Sequence, residues 1–320
     1  MKDEFEQIRD EIPYSSPVKP VQLNLDSVFQ FDCHPGVSCF NECCRSIDIQ
    51  LTPYDIVRLK RHFDMDARDF VARYTVPFEM DHHGMPGLKL ATKPGTTECV
   101  FLGEEGCTVY ADRPSACRYY ALGTMGVRKV GEAKVEDIYF VVQEPHCKGH
   151  EEPVRRTVAE YRRDQGVDLY DEMNRQWRDI VIKKRTSGPT IGAPSQRSMQ
   201  LFDMCSYDMD SFREFIQSDG FRSVFDLSDA EIQALVEDED ALLQFAFRFL
   251  KQVLFGEFSI PRREAGVQAR IQARKTIWNQ RKEEMRRRYR EEMERLQYED
   301  EQQFSAEKRS TEQPQAQRKA

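Results

Sequence analysis

"FDCHPGVSCFNECCRSIDIQLTP", residues 31–53, places four cysteines within twelve positions: Cys33, Cys39, Cys43 and Cys44. Thiolates are soft ligands that suit zinc, copper(I) or iron–sulfur iron. A tetrahedral zinc site or a four-iron cluster each takes about four cysteines. Ligands two to five residues apart can converge from one turning loop, and Pro35 and Gly36 provide a bend in the first segment. Cys43 and Cys44 are neighbours, and adjacent side chains diverge in an extended segment or lie about a quarter-turn apart in a helix. Either they serve different metals or only one of them ligates.

The rest of the cysteine set lies close by in sequence. Of nine cysteines, eight fall between Cys33 and Cys147, the later four being Cys99, Cys107, Cys117 and Cys147. In "CVFLGEEGCTVYADRPSACR", Cys99 and Cys107 stand at either end of a hairpin-like turn. Cys117 follows on a helical turn that Asp112 is expected to cap, with Pro114 inside its start. Eight thiols can make two four-thiolate sites, or one site plus several buried or reactive thiols. A free cysteine is often just a small buried hydrophobe, but eight within 115 positions favour metal chemistry. Cys205, isolated between Met204 and Ser206, is expected to be plain packing.

His34 and His146 adjoin cluster cysteines and are possible substitutes for a weak ligand, since imidazole is a common one. His82 and His83 lie in the loop "MDHHGMPG". For each histidine an exposed or core role is the stronger expectation. Arg45, Arg113 and Arg118 flank the cysteines. Four thiolates around a divalent ion leave surplus negative charge, which guanidinium donors beside a bound cofactor would stabilise. The competing reading of each arginine is an ordinary ion pair or cap.

The chain has 320 residues and a formal net charge of −8. Such an acid balance repels a phosphate backbone and disfavours nucleic acid as the main partner. The opening "MKDEFEQIRDEIPY" has no basic segment followed by an apolar run, so no signal peptide is expected. No stretch approaches the roughly 20 apolar residues that cross a bilayer. The expected location is the cytoplasm, where thiols stay reduced and a cysteine framework binds metal or catalyses rather than forming disulfides.

Outward from the cysteines, the pattern predicts an α+β chain: a small cysteine-rich metal-binding domain of short strands and helices, then a mainly helical C-terminal half ending in a long charged helix. Residues 1–29 read as a polar lead-in and 30–185 as the cysteine domain. A linker follows at 186–198, then a helical domain at 199–262, a charged helix at 263–304 and a disordered tail at 305–320. "QLTPYDIVRLKRHF" predicts a helix with Thr52 as N-cap, Pro53 at its first position and Asp55 completing a capping box. A second helix is expected from Asp66. "GLKLAT", "CVFL" and "KVEDIYFVV" predict short strands, and "GEEG" a turn. Residues 153–184 predict helix broken near Gly166. Ser228 and Glu231 have capping-box spacing, and "ALLQFAFRFLKQVLF" is apolar on nearly every side, as in a buried helix. In the charged run, Ile271, Trp278, Met285, Tyr289, Met293 and Leu296 follow one stripe. That stripe predicts a solvated helix or a weak coiled-coil arm, and the C-terminal helices are where a protein partner would dock.

"FDCHPGVSCFNECCRSIDIQLTPYDIVRL" and "CVFLGEEGCTVYADRPSACRYY" resemble the YkgJ-type cysteine-cluster family, the CxxCxxCC zinc- or iron-chelating domain. The second stretch carries a family-like C-x7-C-x2-Y-x2-R-P-x2-C-R signature through Cys107, Tyr110, Arg113, Pro114, Cys117 and Arg118. The likeness covers residues 30–150 or so. "SFREFIQSDGFRSVFDL" and "ALLQFAFRFLKQVLFGE" are similar to the C-terminal extension of longer members. The first cluster departs from the pattern, with spacings of five and three rather than two and two. The resemblance implies a bound iron–sulfur cluster or Zn2+, with a redox or electron-transfer role if iron is held. Flagellin lysine methylases carry a similar cysteine domain, which implies a protein-modifying methyltransferase as the enzymatic alternative. The chain has no GxGxxG, P-loop, HExxH or Cx3Cx2C motif to support one. A third reading is a helical partner-docking protein with a structural zinc.

Overall fold

The computed structural model describes residues 17–18, 21–81, 84–128, 135–186 and 195–311. Most of the expected linker, together with His82 and His83, lies outside the described residues. Two compact units emerge: residues 1–222 with 227–261, and residues 223–226 with 262–320. No helix among the described residues is long and apolar enough to cross a membrane.

The first unit is α+β. Its strands are short and antiparallel: β1 (Val28–Gln30) pairs with β9 (Arg155–Thr157), and β4 (Pro86–Leu90) lies between β2 (Gln50–Leu51) and β3 (Thr75–Glu79). The hairpin of β5 (Leu102–Gly103) and β6 (Gly106–Cys107) turns at residues 103–106, where "GEEG" predicts a turn; Gly106 supplies φ +124°, a conformation side chains rarely adopt. β7 (Leu122–Arg128) pairs with β8 (Val135–Val141) over seven residues.

The first helices follow their caps. In α1 (Pro53–His62) Thr52 accepts from the Asp55 N–H while Asp55 accepts from the Thr52 N–H, the reciprocal pair that the sequence predicts. The Tyr54 N–H, another donor of that first turn, reaches Asn174 Oδ1 at 3.2 Å. α2 (Ala67–Tyr74) is capped by Asp66. α3 (Ser115–Tyr119) carries Cys117. α4 (Val158–Asp164) and α5 (Val167–Thr186) are separated at Gly166, φ +66°.

The remaining helices of this unit are α6 (Gln196–Tyr207), α7 (Met209–Gln217), α8 (Asp219–Arg222), α9 (Asp229–Glu237) and α10 (Glu239–Phe255). Ser228 and Glu231 form the capping box of α9, and Gly256 ends α10 in the left-handed conformation. Phe212, Phe215, Phe221, Phe245 and Phe249 pack ring against ring, with centroids 5.4–6.3 Å apart. Phe212, Phe221, Phe245 and Phe249 are buried, and each such ring is worth about 1.5–3 kcal/mol in area alone. Lys60 on α1 joins this helical half by ion pairs to Asp210 (3.2 Å) and Glu239 (2.7 Å), and Arg61 by pairs to Glu239 and Asp240.

Two segments of the first unit differ from the sequence expectation. "CVFL" is mostly turn: Cys99 makes a single bridge to Thr92, and strand pairing begins only at Leu102. Residues 155–157, inside the stretch expected to be helical, pair with β1 before α4 starts. The strand partner of residues 155–157 lies far upstream in the chain, and the Cys99 N–H goes to the Cys44 carbonyl rather than into a ladder, so the local pattern records neither.

In the second unit α11 (Glu264–Thr311) is one 48-residue helix. Residues 223–226 meet its beginning: Phe225 bridges Arg262, the Arg263 N–H donates to the Val224 carbonyl, and Gly266 leaves no room for a Cβ beside the Ser223 carbonyl. Residues 312–320 lie outside the described residues.

Candidate metal centre

All nine cysteines are free thiols. Cys39, Cys43 and Cys44 lie on a tight turn, with a 310 segment at Glu42–Cys44 that follows Asn41 in left-handed conformation (φ +67°). The Cys99 N–H donates to the Cys44 carbonyl at 2.7 Å, which joins the two cysteine-bearing stretches through the main chain. Phe101, between Cys99 and Cys107, stacks on Phe63 (5.4 Å) and packs at a tilt on Tyr74 (5.1 Å), and so anchors that turn to α1 and α2. Cys147 is brought back to the first cysteines by Gly149, whose carbonyl accepts from the Asp32 N–H at 3.0 Å. A Cβ at Gly149 would stand 2.5 Å from the Asp32 carbonyl oxygen and 2.6 Å from the Phe31 ring, so only glycine permits that approach. Nearby, the Lys148 N–H donates to Cys39 Sγ at 3.1 Å.

The electrostatics sort the thiols into two neighbourhoods. Burial pushes the Cys33 thiol up to about 11, with further contributions from Cys39, Cys147 and Cys44. Burial likewise raises Cys117, which also feels Cys44, Cys99 and Cys107. Cys99 is pushed up to about 11 by burial, with Cys44 and Cys107 adding to it. Cys107 is raised by burial and by Cys44, while the nearby Arg113 charge acts in the opposite direction. One neighbourhood is therefore Cys44, Cys99, Cys107 and Cys117, and the other is Cys33, Cys39 and Cys147. Cys43 senses both Cys33 and Cys117 and stands at the junction. Its sulfur is 3.9 Å from that of Cys44. Their shared hydrogen bond holds the Cys43 proton on and brings Cys44 down to about 7, so one proton of the pair leaves near neutrality and the other far above it.

These sulfurs are neighbours rather than a closed cage: among the described residues, no three Cys, His, Asp or Glu side chains stand close enough to hold an ion. The donor set nevertheless fits a thiolate-bound metal. Neighbouring thiols add to the effect of burial in raising the proton affinity of Cys33, Cys99, Cys107 and Cys117, and a soft cation is what balances such a group.

The flanking arginines divide. Arg45 pairs with Glu98 (2.8 Å) and Glu42 (3.3 Å). Arg113 bonds the Tyr110 carbonyl and Gln165 Oε1. Arg118 is buried and donates to the carbonyls of Arg113, Ala111 and Gln165 and to the Tyr170 hydroxyl. It stitches the chain around α3 together. The hydrogen bonds just named go to oxygen, and Arg113 also acts on Cys107 through its charge. His34 faces Glu152 and His146 faces Glu144, at 3.6 and 3.7 Å. Cys205 is fully buried in α6.

The cap of α3 is a correction. Asp112 does not supply it; its carboxylate takes Arg58 and His62, whose hydrogen bonds outweigh burial and hold it below the usual carboxylate range. Asp55 does the capping instead. Oδ1 accepts from the Ser115 N–H at 2.8 Å and from its hydroxyl at 2.7 Å, while Oδ2 serves Thr52. One fully buried carboxylate thus starts both α1 and the helix that carries Cys117, and burial raises its pKa. Sequence reasoning found only the first of these roles, since Ser115 is 60 positions away. Tyr120, whose hydroxyl lies against Glu144 and Cys147 without meeting hydrogen-bond geometry, was not singled out either.

No curated protein and no solved structure matches the chain. Residues 32–148, just over a third of the chain and the stretch that holds all eight clustered cysteines, match the CxxCxxCC family model, described as "Putative zinc- or iron-chelating domain".

Proposed function

We propose that residues 32–148 hold zinc or an iron–sulfur cluster through two thiol groups. The first is Cys44, Cys99, Cys107 and Cys117. The second is Cys33, Cys39 and Cys147, with Cys43 as its fourth member. The observation that carries this reading is the convergence of cysteine-bearing stretches far apart in sequence: the Cys99 N–H on the Cys44 carbonyl, the Lys148 N–H on Cys39 Sγ and the Asp32 N–H on the Gly149 carbonyl, with neighbouring thiols acting on Cys33, Cys99 and Cys117. The family match over the same residues supports it. Cys33 and Cys43 are exposed, which favours a surface position for the second group. An iron–sulfur cluster there would supply electron transfer, with the arginine charge of Arg113 beside the first group. Zinc would supply fold stability instead.

Metal analysis and a visible spectrum of protein purified without oxygen test the reading. Iron with sulfide and charge-transfer colour assigns a redox role; stoichiometric zinc without colour assigns a structural one. Cys107→Ser and Cys33→Ser should each remove roughly half of the bound metal, since a four-thiolate site that loses a ligand is no longer closed. Cys205→Ala should remove none. A wild-type protein that is folded, colourless and free of metal would refute the proposal.

A further inference from the structure

α11 presents an apolar stripe to solvent. Ile271, Trp278, Met285, Tyr289 and Met293 are 43, 61, 68, 66 and 39 % exposed. Their spacings of seven, seven, four and four keep them on one narrow face of a helix with 3.6 residues per turn. Among the described residues of its own unit, the helix is accompanied by residues 223–226, which meet its first turn, and by the two residues that lead into it. Lys282 lies over the Trp278 ring at 4.8 Å, and the pairs Arg286–Glu283 and Arg287–Glu291 lie along the helix itself. Large exposed apolar side chains in register on a long helix are the signature of a seam that another helix covers.

The charge on this helix is polar along its length. Residues 264–290 hold nine Lys and Arg against three Asp and Glu, whereas residues 291–301 hold six Asp and Glu against one Arg. A parallel, in-register pair would set the basic half against itself, and like charges along a seam repel. An antiparallel pair sets basic against acidic in both halves. By helical register, positions 281, 288, 292 and 299 fall along one edge of the stripe, and they are Arg, Arg, Glu and Glu. Same-edge positions face each other in an antiparallel pair. One alignment, symmetric about position 290, brings Arg281 opposite Glu299 and Arg288 opposite Glu292 at once. The apolar residues nearest that centre are Tyr289, Met285 and Met293.

We propose that α11 pairs with α11 of a second copy of this chain as an antiparallel coiled coil centred near position 290. The two-fold axis crosses at Tyr289 to Glu291, the stripe forms the seam, and the charged edges select the direction. The acidic block on the same helix works against a nucleic-acid ligand, and the stripe is too narrow for a membrane-surface helix.

The test uses the full chain. Sedimentation equilibrium should give twice the mass of one chain, at concentrations up to on the order of 100 μM, where even a weak pair associates. R281E/R288E should return the mass to that of one chain. Adding E292R/E299R to those two changes should restore the double mass, because the swap preserves the antiparallel match. Zero-length coupling of carboxylates to amines, on a mixture of light and heavy isotope-labelled chains, should join Lys282 to Asp300 between copies. Those positions are 18 residues apart, about 27 Å along one helix, so the link cannot form within one helix. A one-chain mass across the range overturns the proposal, whether or not the chain then binds nucleic acid or vesicles. A double mass that survives R281E/R288E, or that E292R/E299R fails to restore, overturns it too.

Discussion

The cysteine-bearing loops and the helices of residues 196–255 belong to the same unit but hold their shape by different means. The helices bury a phenylalanine cluster, and their order follows from apolar area. The loops around Cys33–Cys44 and Cys99–Cys117 have little regular structure, and most of their thiols are exposed or half-buried. Apart from the Phe101 ring against Phe63 and Tyr74, what orders them is a small number of polar anchors and one close backbone contact: Asp55 on Ser115, Arg118 on three carbonyls, and the Gly149 approach to Asp32. A diffuse apolar core tolerates loss of one anchor by repacking. A loop held by single buried polar groups does not, because each orphaned partner keeps its full desolvation penalty.

The largest expected effect separates the two regions by stability. Phe212→Ala, in the fully buried centre of the phenylalanine cluster, should cost about 3–5 kcal/mol. Denaturant titration reads that loss, and the metal content of the molecules that remain folded should not change. Asp55→Ala should cost less, about 2–3 kcal/mol, from two lost caps and orphaned donors. Unlike Phe212→Ala, it should also lower metal retention, since Cys117 stands on the helix that loses its cap. Equal metal loss in both variants would erase the distinction between the regions.

The smallest effect concerns the joint at Lys60. Burial raises the carboxyl pKa values of Asp210 and Glu239. For Asp210, hydrogen bonds from the Ala67 N–H, Arg213 and Lys60 outweigh that effect; for Glu239, those from Lys60 and Arg61 do. Both end below their ordinary values. Carboxyls depressed in the folded state contribute stability that is present above their unfolded values, about 4. That stability is lost as pH falls through the lower folded ones. Chemical denaturation repeated from pH 7 down to about 3 should show this loss, and Lys60→Met should flatten the acid limb relative to wild type. An unchanged slope in that variant would remove Lys60 from the joint.

Much of the α+β architecture was legible in residue order because its signals are local. Thr52, Pro53 and Asp55 mark the start of α1, Ser228 and Glu231 the start of α9, and Gly166 the break between α4 and α5. Each acts within one helical turn of itself. The density of cysteines equally pointed to a thiol centre before any fold was known. Only the tertiary structure decided that Asp55 rather than Asp112 caps the helix of Cys117, that the chain at 155–157 is strand, and that the thiols fall into two neighbourhoods meeting at Cys43 and Cys44. These outcomes depend on groups that lie 55 to 129 positions apart, such as Cys44 and Cys99 or Val28 and Thr157, meeting in space. A burial-driven collapse brings such groups together, and nothing in the local pattern of either partner names the other.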